Sequence, residues 1–144
     1  MDRDMILTFS LENDYYGLNI DYVTEIIGMQ NISFVPDLEN HIEGVINLRG
    51  KIIPIMDLRV RFGIEKVPYH DRTCIVVIET NDDNLGIIVD KVYEVAQVSY
   101  EDMAEIPEVG RSKSKYIEKI RKINEDITLI INIDCVLGNE EVGA

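Results

Sequence analysis

Residues Gly44 to Gly63 read GVINLRGKIIPIMDLRVRFG. Two apolar runs, Val45–Leu48 and Ile52–Met56, flank the turn Arg49-Gly50-Lys51, and β-branched residues dominate both, so the stretch predicts two strands joined by a tight turn. Pro54 stands inside the second run. Because proline cannot donate to a ladder, that strand is expected at a sheet edge or beside a bulge. A short helix over Asp57–Phe62 follows, capped by Asp57 and stopped by Gly63.

Outward from this stretch, strand signals recur at Ile6–Leu11, Cys74–Glu79, Leu85–Val89 and Ile127–Ile133. The continuous apolar runs CIVVI and LIINI point to strands with both faces covered. Two further short helices are expected, one over Asp21–Ile26 with Asn19 or Asp21 as cap, and one after Asp134. The stretch Ser99–Ser114 contains Pro107 and Gly110 and lacks an apolar period, so it reads as a mobile loop.

The chain carries an internal repeat. Gly17–Ile26 (GLNIDYVTEI) aligns with Gly86–Val95 (GIIVDKVYEV), matching Gly17 to Gly86, Asp21 to Asp90, Val23 to Val92 and Glu25 to Glu94. Further on, His41-Ile42-Glu43 aligns with Tyr116-Ile117-Glu118, and IIPIMDLRVRFG with ITLIINIDCVLG, at an offset six residues longer. Any two hairpins with a glycine after the turn share some of this pattern, but six consistent columns in ten favour a true repeat. The chain is therefore read as one domain over residues 1–144, made of two copies of a small β unit, about 4–66 and about 72–138, that share a core.

With 144 residues and 46% hydrophobic content, the chain suits one domain with a sizeable core. Its formal net charge of -13 opposes general binding to a phosphate backbone. The N-terminus fits neither a signal peptide nor a membrane span, and no other stretch reaches spanning length. The two cysteines, Cys74 and Cys135, lie far apart in apolar segments and read as small buried hydrophobes, which points to a cytoplasmic protein with no direct membrane insertion.

No motif carries enzyme chemistry. His41 and His70 stand in no metal-ligand spacing, and phosphate-binding glycine loops and nucleophile elbows are missing, so no catalytic residue, cofactor or metal is assigned. Asp82-Asp83 could hold a hard cation, but NDDN between two strands is better explained as a hairpin turn. The basic island Arg111, Lys113, Lys115, Lys119, Arg121 and Lys122 is the footprint a nucleic-acid-binding β-barrel would use. Tyr116 is its one aromatic, so a solvated face is favoured. A second basic group, Arg49, Lys51, Arg59 and Arg61, lies in the opening stretch. Arg49, at the turn, offers a planar fork for a partner's carboxylate, or for an acid of this chain.

The run Gly44, Asn47, Leu48, Arg49, Gly50, Pro54, Asp57, Leu58 and Arg59, in unbroken register, resembles the signature of the CheW-like chemotaxis coupling proteins. The VDKVYEV and LIINID segments extend the resemblance over nearly the whole chain. It implies a mainly β fold of two small five-stranded SH3-like barrels packed side by side, with short helices. It also implies a non-catalytic adaptor, monomeric when free, in arrays beneath the inner membrane, joining the cytoplasmic signalling tip of chemoreceptors to the regulatory domain of a chemotaxis histidine kinase. Val23, Ile26, Val92 and Val95 read as core residues on pattern alone. The resemblance places them, with Gly44 and Arg49, at the receptor contact, a hydrophobic groove between the subdomains. It names no kinase-contacting residue here, although barrel ends pair in this family. One departure is Lys119, where the family usually has glycine before an aliphatic residue, so the backbone there either needs no positive φ or turns elsewhere.

Overall fold

The computed structural model describes residues 4–39, 41–80, 83–107 and 115–138. Its strands are β1 (Asp4–Leu11), β2 (Asp14–Asn19), β3 (Val23–Gly28), β4 (Ile42–Leu48), β5 (Lys51–Asp57), β6 (Cys74–Glu79), β7 (Asn84–Val89), β8 (Lys91–Val98), β9 (Met103–Ala104), β10 (Ile117–Ile123) and β11 (Asp126–Ile131). Two short helices, α1 (Leu58–Phe62) and α2 (Ile133–Leu137), follow β5 and β11. The fold is mainly β, with a six-stranded sheet ordered β8-β1-β2-β11-β10-β9 and a five-stranded one ordered β3-β6-β7-β5-β4.

The compact units do not coincide with the halves of the repeat. One unit takes Met1–Ile20 with Tyr93–Ala144, and the other takes Asp21–Val92. Each unit thus combines the first hairpin of one repeat with the three later long strands of the other. The joint in each is a parallel pair, β2 with β11 and β5 with β7. The expected blocks 4–66 and 72–138 are therefore cut across, because a repeat records duplicated sequence and not which copy each strand pairs with.

The repeat itself is visible in the packing. A Cβ at Gly17 would lie 2.8 Å from Ile6 Cδ1 and 3.1 Å from Ile130 Cδ1, and a Cβ at Gly86 would lie 2.7 Å from Ile55 Cδ1 and 2.8 Å from Ile75 Cγ2. Ile6 and Ile75, like Ile130 and Ile55, are repeat partners. Glycine at both positions lets a neighbouring isoleucine cross the strand.

In the second unit the interior is formed by Ile46, Ile53, Ile55, Ile75, Val77 and Ile88, with Ile27, Met29, Ile32 and Leu48 packed against them. Each buried isoleucine there contributes about 2 kcal/mol. Val76 and Ile78, on the other face of β6, are buried too, as the unbroken CIVVI run requires. Cys74 and Cys135 are half-buried, and burial pushes the Cys74 thiol up from its ordinary value.

Three expectations need correction. Asp21–Ile26 is not a helix: a 3-10 turn over Ile20–Tyr22 leads directly into β3, because Val23–Gly28 pairs with β6 and the ladder outweighs a weak local preference. Pro54 does not mark an edge, since β5 lies between β7 and β4; the parallel ladder with β7 begins one residue later, at Ile55, and the irregularity sits on β4 between Ile42 and Gly44. Within Ser99–Ser114, a 3-10 turn over Tyr100–Asp102 and strand β9 interrupt the expected loop, and residues 108–114 lie outside the described residues. The helix over 58–62 forms as expected, with the Asp57 carboxylate accepting from the Arg59 amide and Gly63 at φ 79°.

Candidate functional site

The β4–β5 hairpin closes through two residues at positive φ, Arg49 at 52° and Gly50 at 89°, the backbone that matches strand twist in a two-residue loop. The Asn47 side-chain oxygen accepts from the Gly50 amide at 2.8 Å and fixes the turn. Arg49 is thereby lifted to the tip of the hairpin, with its side chain 69% exposed, and its guanidinium donates to the Glu25 carboxylate on β3. An exposed pair of this kind adds at most about 1 kcal/mol to stability. Pairing to an acid of this chain, one of the two readings of Arg49, is what the geometry holds. In the sequence the one signal for Glu25 is its repeat match with Glu94.

Val23 and Ile26 lie on β3, an edge of the described sheet. Strict alternation would put residues three apart on opposite faces. A bulge at Thr24 changes that: Val23 pairs with Ile78, Glu25 with Val77 and Ile26 with Val76, so Val23 and Ile26 share the face of Ile78 and Val76. The Thr24 hydroxyl donates to the Val77 carbonyl at 3.2 Å and secures the bulge. Val23 is half-buried, whereas Ile26 is 44% exposed, a large apolar side chain beside the acid that binds Arg49.

The other receptor-site candidates divide. Gly44 is buried at φ 151°, and a Cβ there would lie 2.2 Å from the Ser33 carbonyl oxygen, so its role in this geometry is to let Ser33 bridge to Val45. On β8, Val92 is half-buried in the second unit and Val95, in the first, is 46% exposed. At Lys119 the bulge is retained between Ile117 and Lys119, but without positive φ, so the backbone needs no glycine. Strand β9 pairs there with Ile120 and Arg121 in place of a Ser33-type bridge.

Most remaining signature residues serve the scaffold. Arg59 is buried and donates from Nε and Nη2 to the two Asp90 carboxylate oxygens and from Nη1 to the Glu65 carbonyl. Asp57, 1% exposed, accepts from the Tyr69 hydroxyl at 2.8 Å, and burial followed by this bond pushes the Tyr69 phenol well above its ordinary range. The group Arg49, Lys51, Arg59 and Arg61 is therefore not a surface patch.

Among the described residues, no three His, Cys, Asp or Glu side chains group as metal ligands. Burial, followed by Arg61, lowers the His41 pKa from its usual value. Asp82 lies outside the described residues, as do Arg111 and Lys113. The described part of the basic island is split by strand alternation: Arg121 lines a cleft in the first unit while Lys122 is exposed. No helix of the described residues is long and apolar enough to cross a membrane.

Comparison with known proteins agrees with this geometry. The family model for the CheW-like domain matches residues 5–141. A chemotaxis protein CheW of Klebsiella aerogenes is 33% identical over 94% of this chain and 82% of its own length. One of Bacillus subtilis is 32% identical over 95% and 88%. The crystal structure of the scaffolding protein TtCheW from Thermoanaerobacter tengcongensis superposes with a TM-score of 0.86 at 35% identity, covering 100% of this chain and 97% of the other.

Proposed function

Since the chain belongs to the CheW-like domain family, we propose that it couples chemoreceptors to a chemotaxis histidine kinase through two separate interfaces. It is an adaptor of chemotaxis signalling and not an enzyme. The receptor contact is assigned to Val23, Ile26 and Arg49, with Val92 and Val95 given the same role as repeat counterparts and Gly44 shaping β4. The observation that carries this assignment is the bulge at Thr24, which turns Val23 and Ile26 to one face of the edge strand β3, while Glu25, paired to Arg49, stands on the other. Exposed apolar side chains on an edge strand, with an arginine at the tip of a nearby hairpin, are suited to receiving an amphipathic helix.

Kinase control follows if the adaptor's contacts differ between two signalling states, because a linker that binds both equally shifts neither. Individually weak contacts suffice in an array beneath the membrane, where neighbouring sites raise the effective concentration.

Arg49→Asn separates function from fold. Asparagine accepts left-handed backbone, and Asn124 already occupies the corresponding position of the repeat at φ 58°. The hairpin should keep its stability while the fork is lost. Loss of a charge-assisted bond weakens binding to a receptor-tip fragment by about tenfold or more, with binding to the kinase regulatory domain unchanged. Undiminished receptor binding by this variant would remove Arg49 from the contact, and failure of the wild-type chain to bind either partner would overturn the coupling reading.

A further inference from the structure

The two units differ where their interiors should match. Repeat alignment sets Thr8, Arg121 and Thr128 of the first unit against Val77, Ile46 and Ile53 of the second. Those three form part of the second unit's apolar interior. Arg121 and Thr128 face each other across β10 and β11, as Ile46 and Ile53 do across β4 and β5. A cross-strand pair of isoleucines has thus become an arginine and a threonine.

The exchange lies in the lining of a cleft of about 530 Å³ at the end of the first unit's barrel, within the range of small-molecule sites, and β1, β2, β8, β10 and β11 all contribute to its walls. Arg121 reaches it with a buried Nε that has no hydrogen-bond partner among the described residues. A buried donor left unmatched is costly, and native proteins retain few without a use for them. Glu94 and Asp126, both exposed, also line the cleft. Tyr15 and Tyr93 meet edge to face at 5.3 Å and supply an apolar wall. The Thr8 hydroxyl is engaged with the Glu94 backbone, donating to its carbonyl at 3.0 Å and accepting from its amide at 3.2 Å, which ties β8 to β1 and fixes Glu94 at the cleft.

We propose that this barrel mouth binds a small zwitterion of the α-amino-acid class, its carboxylate on Arg121, its ammonium toward Glu94 and Asp126, and its hydrocarbon part against Tyr15 and Tyr93. A plain anion would face two carboxylates in a chain of net charge -13, and a plain cation would meet the guanidinium. A ligand carrying both charges satisfies both groups. The corresponding depression of the second unit, about 420 Å³, includes Ile53 and Val77, and its Arg49 and Glu25 already pair with each other. It is not expected to bind. This site is independent of the coupling function, and neither stands or falls with the other.

The test is a titration of the full chain with the free L-amino acids, followed by amide resonances, with acetate, inorganic phosphate and methylamine as single-charge controls. At least one amino acid should shift Thr8, Tyr93, Arg121 and Thr128 saturably with a Kd of about 1 mM, and the controls should bind at least about tenfold more weakly. The double variant Arg121→Ile/Thr128→Ile, which installs the second unit's pair, should fold and lose the response. No saturable shift up to about 10 mM, equal shifts with acetate or phosphate, or a response that survives in the folded double variant would each overturn the proposal.

Discussion

The Arg59 guanidinium holds the Asp90 carboxylate at two points, Nε to Oδ1 at 3.0 Å and Nη2 to Oδ2 at 2.7 Å, and so ties α1 to the bend after β7. The pair lies inside the second unit, with side chains 8% and 20% exposed. It has no copy in the first unit, because the repeat sets Asp134 against Arg59 and Asp21 against Asp90.

Removing Asp90 takes the carboxylate counter-charge away from a buried guanidinium. Asp90→Ala is expected to cost about 3 kcal/mol, and the double variant Arg59→Met/Asp90→Leu to recover most of it, because two apolar side chains need no counter-charge. Urea unfolding midpoints at constant slope decide this. Equal losses in the single and double variants would mean that shape, and not charge, is what the pair supplies.

Gly44 and Lys119 occupy one position in the two repeats but face opposite demands. At Gly44 a Cβ meets the Ser33 carbonyl oxygen and the backbone sits at φ 151°, so Gly44→Ala should destabilise by at least about 2 kcal/mol. At Lys119 the φ is not positive, and Lys119→Gly should cost no more than about 1 kcal/mol, through chain entropy. Thermal midpoints of the two variants should therefore differ clearly, and a Gly44→Ala variant as stable as wild type would contradict the close approach of Ser33.

Much of this architecture could be read from residue pattern. Cys74–Glu79 is a strand over its expected bounds, and Asp57 and Gly63 cap the helix they were assigned. What pattern could not supply was which copy each strand pairs with, since β2 and β7 would present the same apolar faces to either repeat. Strand β10 is hidden in the sequence because the isoleucines of IEKIRKI recur every third residue, out of step with a strand's two-residue alternation, which a bulge partly disguises. The site was legible to a similar degree. Arg49 stands out through its turn, whereas Arg121 merges into a basic island, because charge counts do not say which face of a strand a residue occupies.

Tyr69 carries a pH dependence with a definite sign. Its phenol donates to the buried Asp57 carboxylate, and burial together with that acid raises its pKa above the ordinary value of 10.0. Below pH 10 the proton is held in both folded and unfolded chains, so the contribution to stability is complete. Above it the unfolded chain releases the proton first, and stability falls as pH rises. Tyr69→Phe should cost about 1–2 kcal/mol at pH 7, by leaving an Asp57 oxygen without its donor. Phenolate absorbance of folded wild type and variant should coincide up to about pH 11. An extra phenolate in the wild type at that pH would show that Tyr69 ionises normally and that the bond to Asp57 is weak.

Gly17 and Gly86 provide a matched test of how closely the two units are packed. A Cβ at Gly17 presses on Ile6 Cδ1 at 2.8 Å, the far end of a side chain that can turn away. A Cβ at Gly86 presses on Ile55 Cδ1 at 2.7 Å and also on Ile75 Cγ2 at 2.8 Å, a methyl held on the β-carbon that moves only with its strand. Overfilled interiors lose about 1–3 kcal/mol. Gly17→Ala should fall near the lower figure and Gly86→Ala near the upper. Because Ile75 is fully buried, shortening it should relieve the second variant: Gly86→Ala/Ile75→Ala is expected to lose less than the sum of its single changes. Strict additivity in that cycle would mean that the strand shifts to admit the methyl, and that the second unit's interior is softer than its contacts imply.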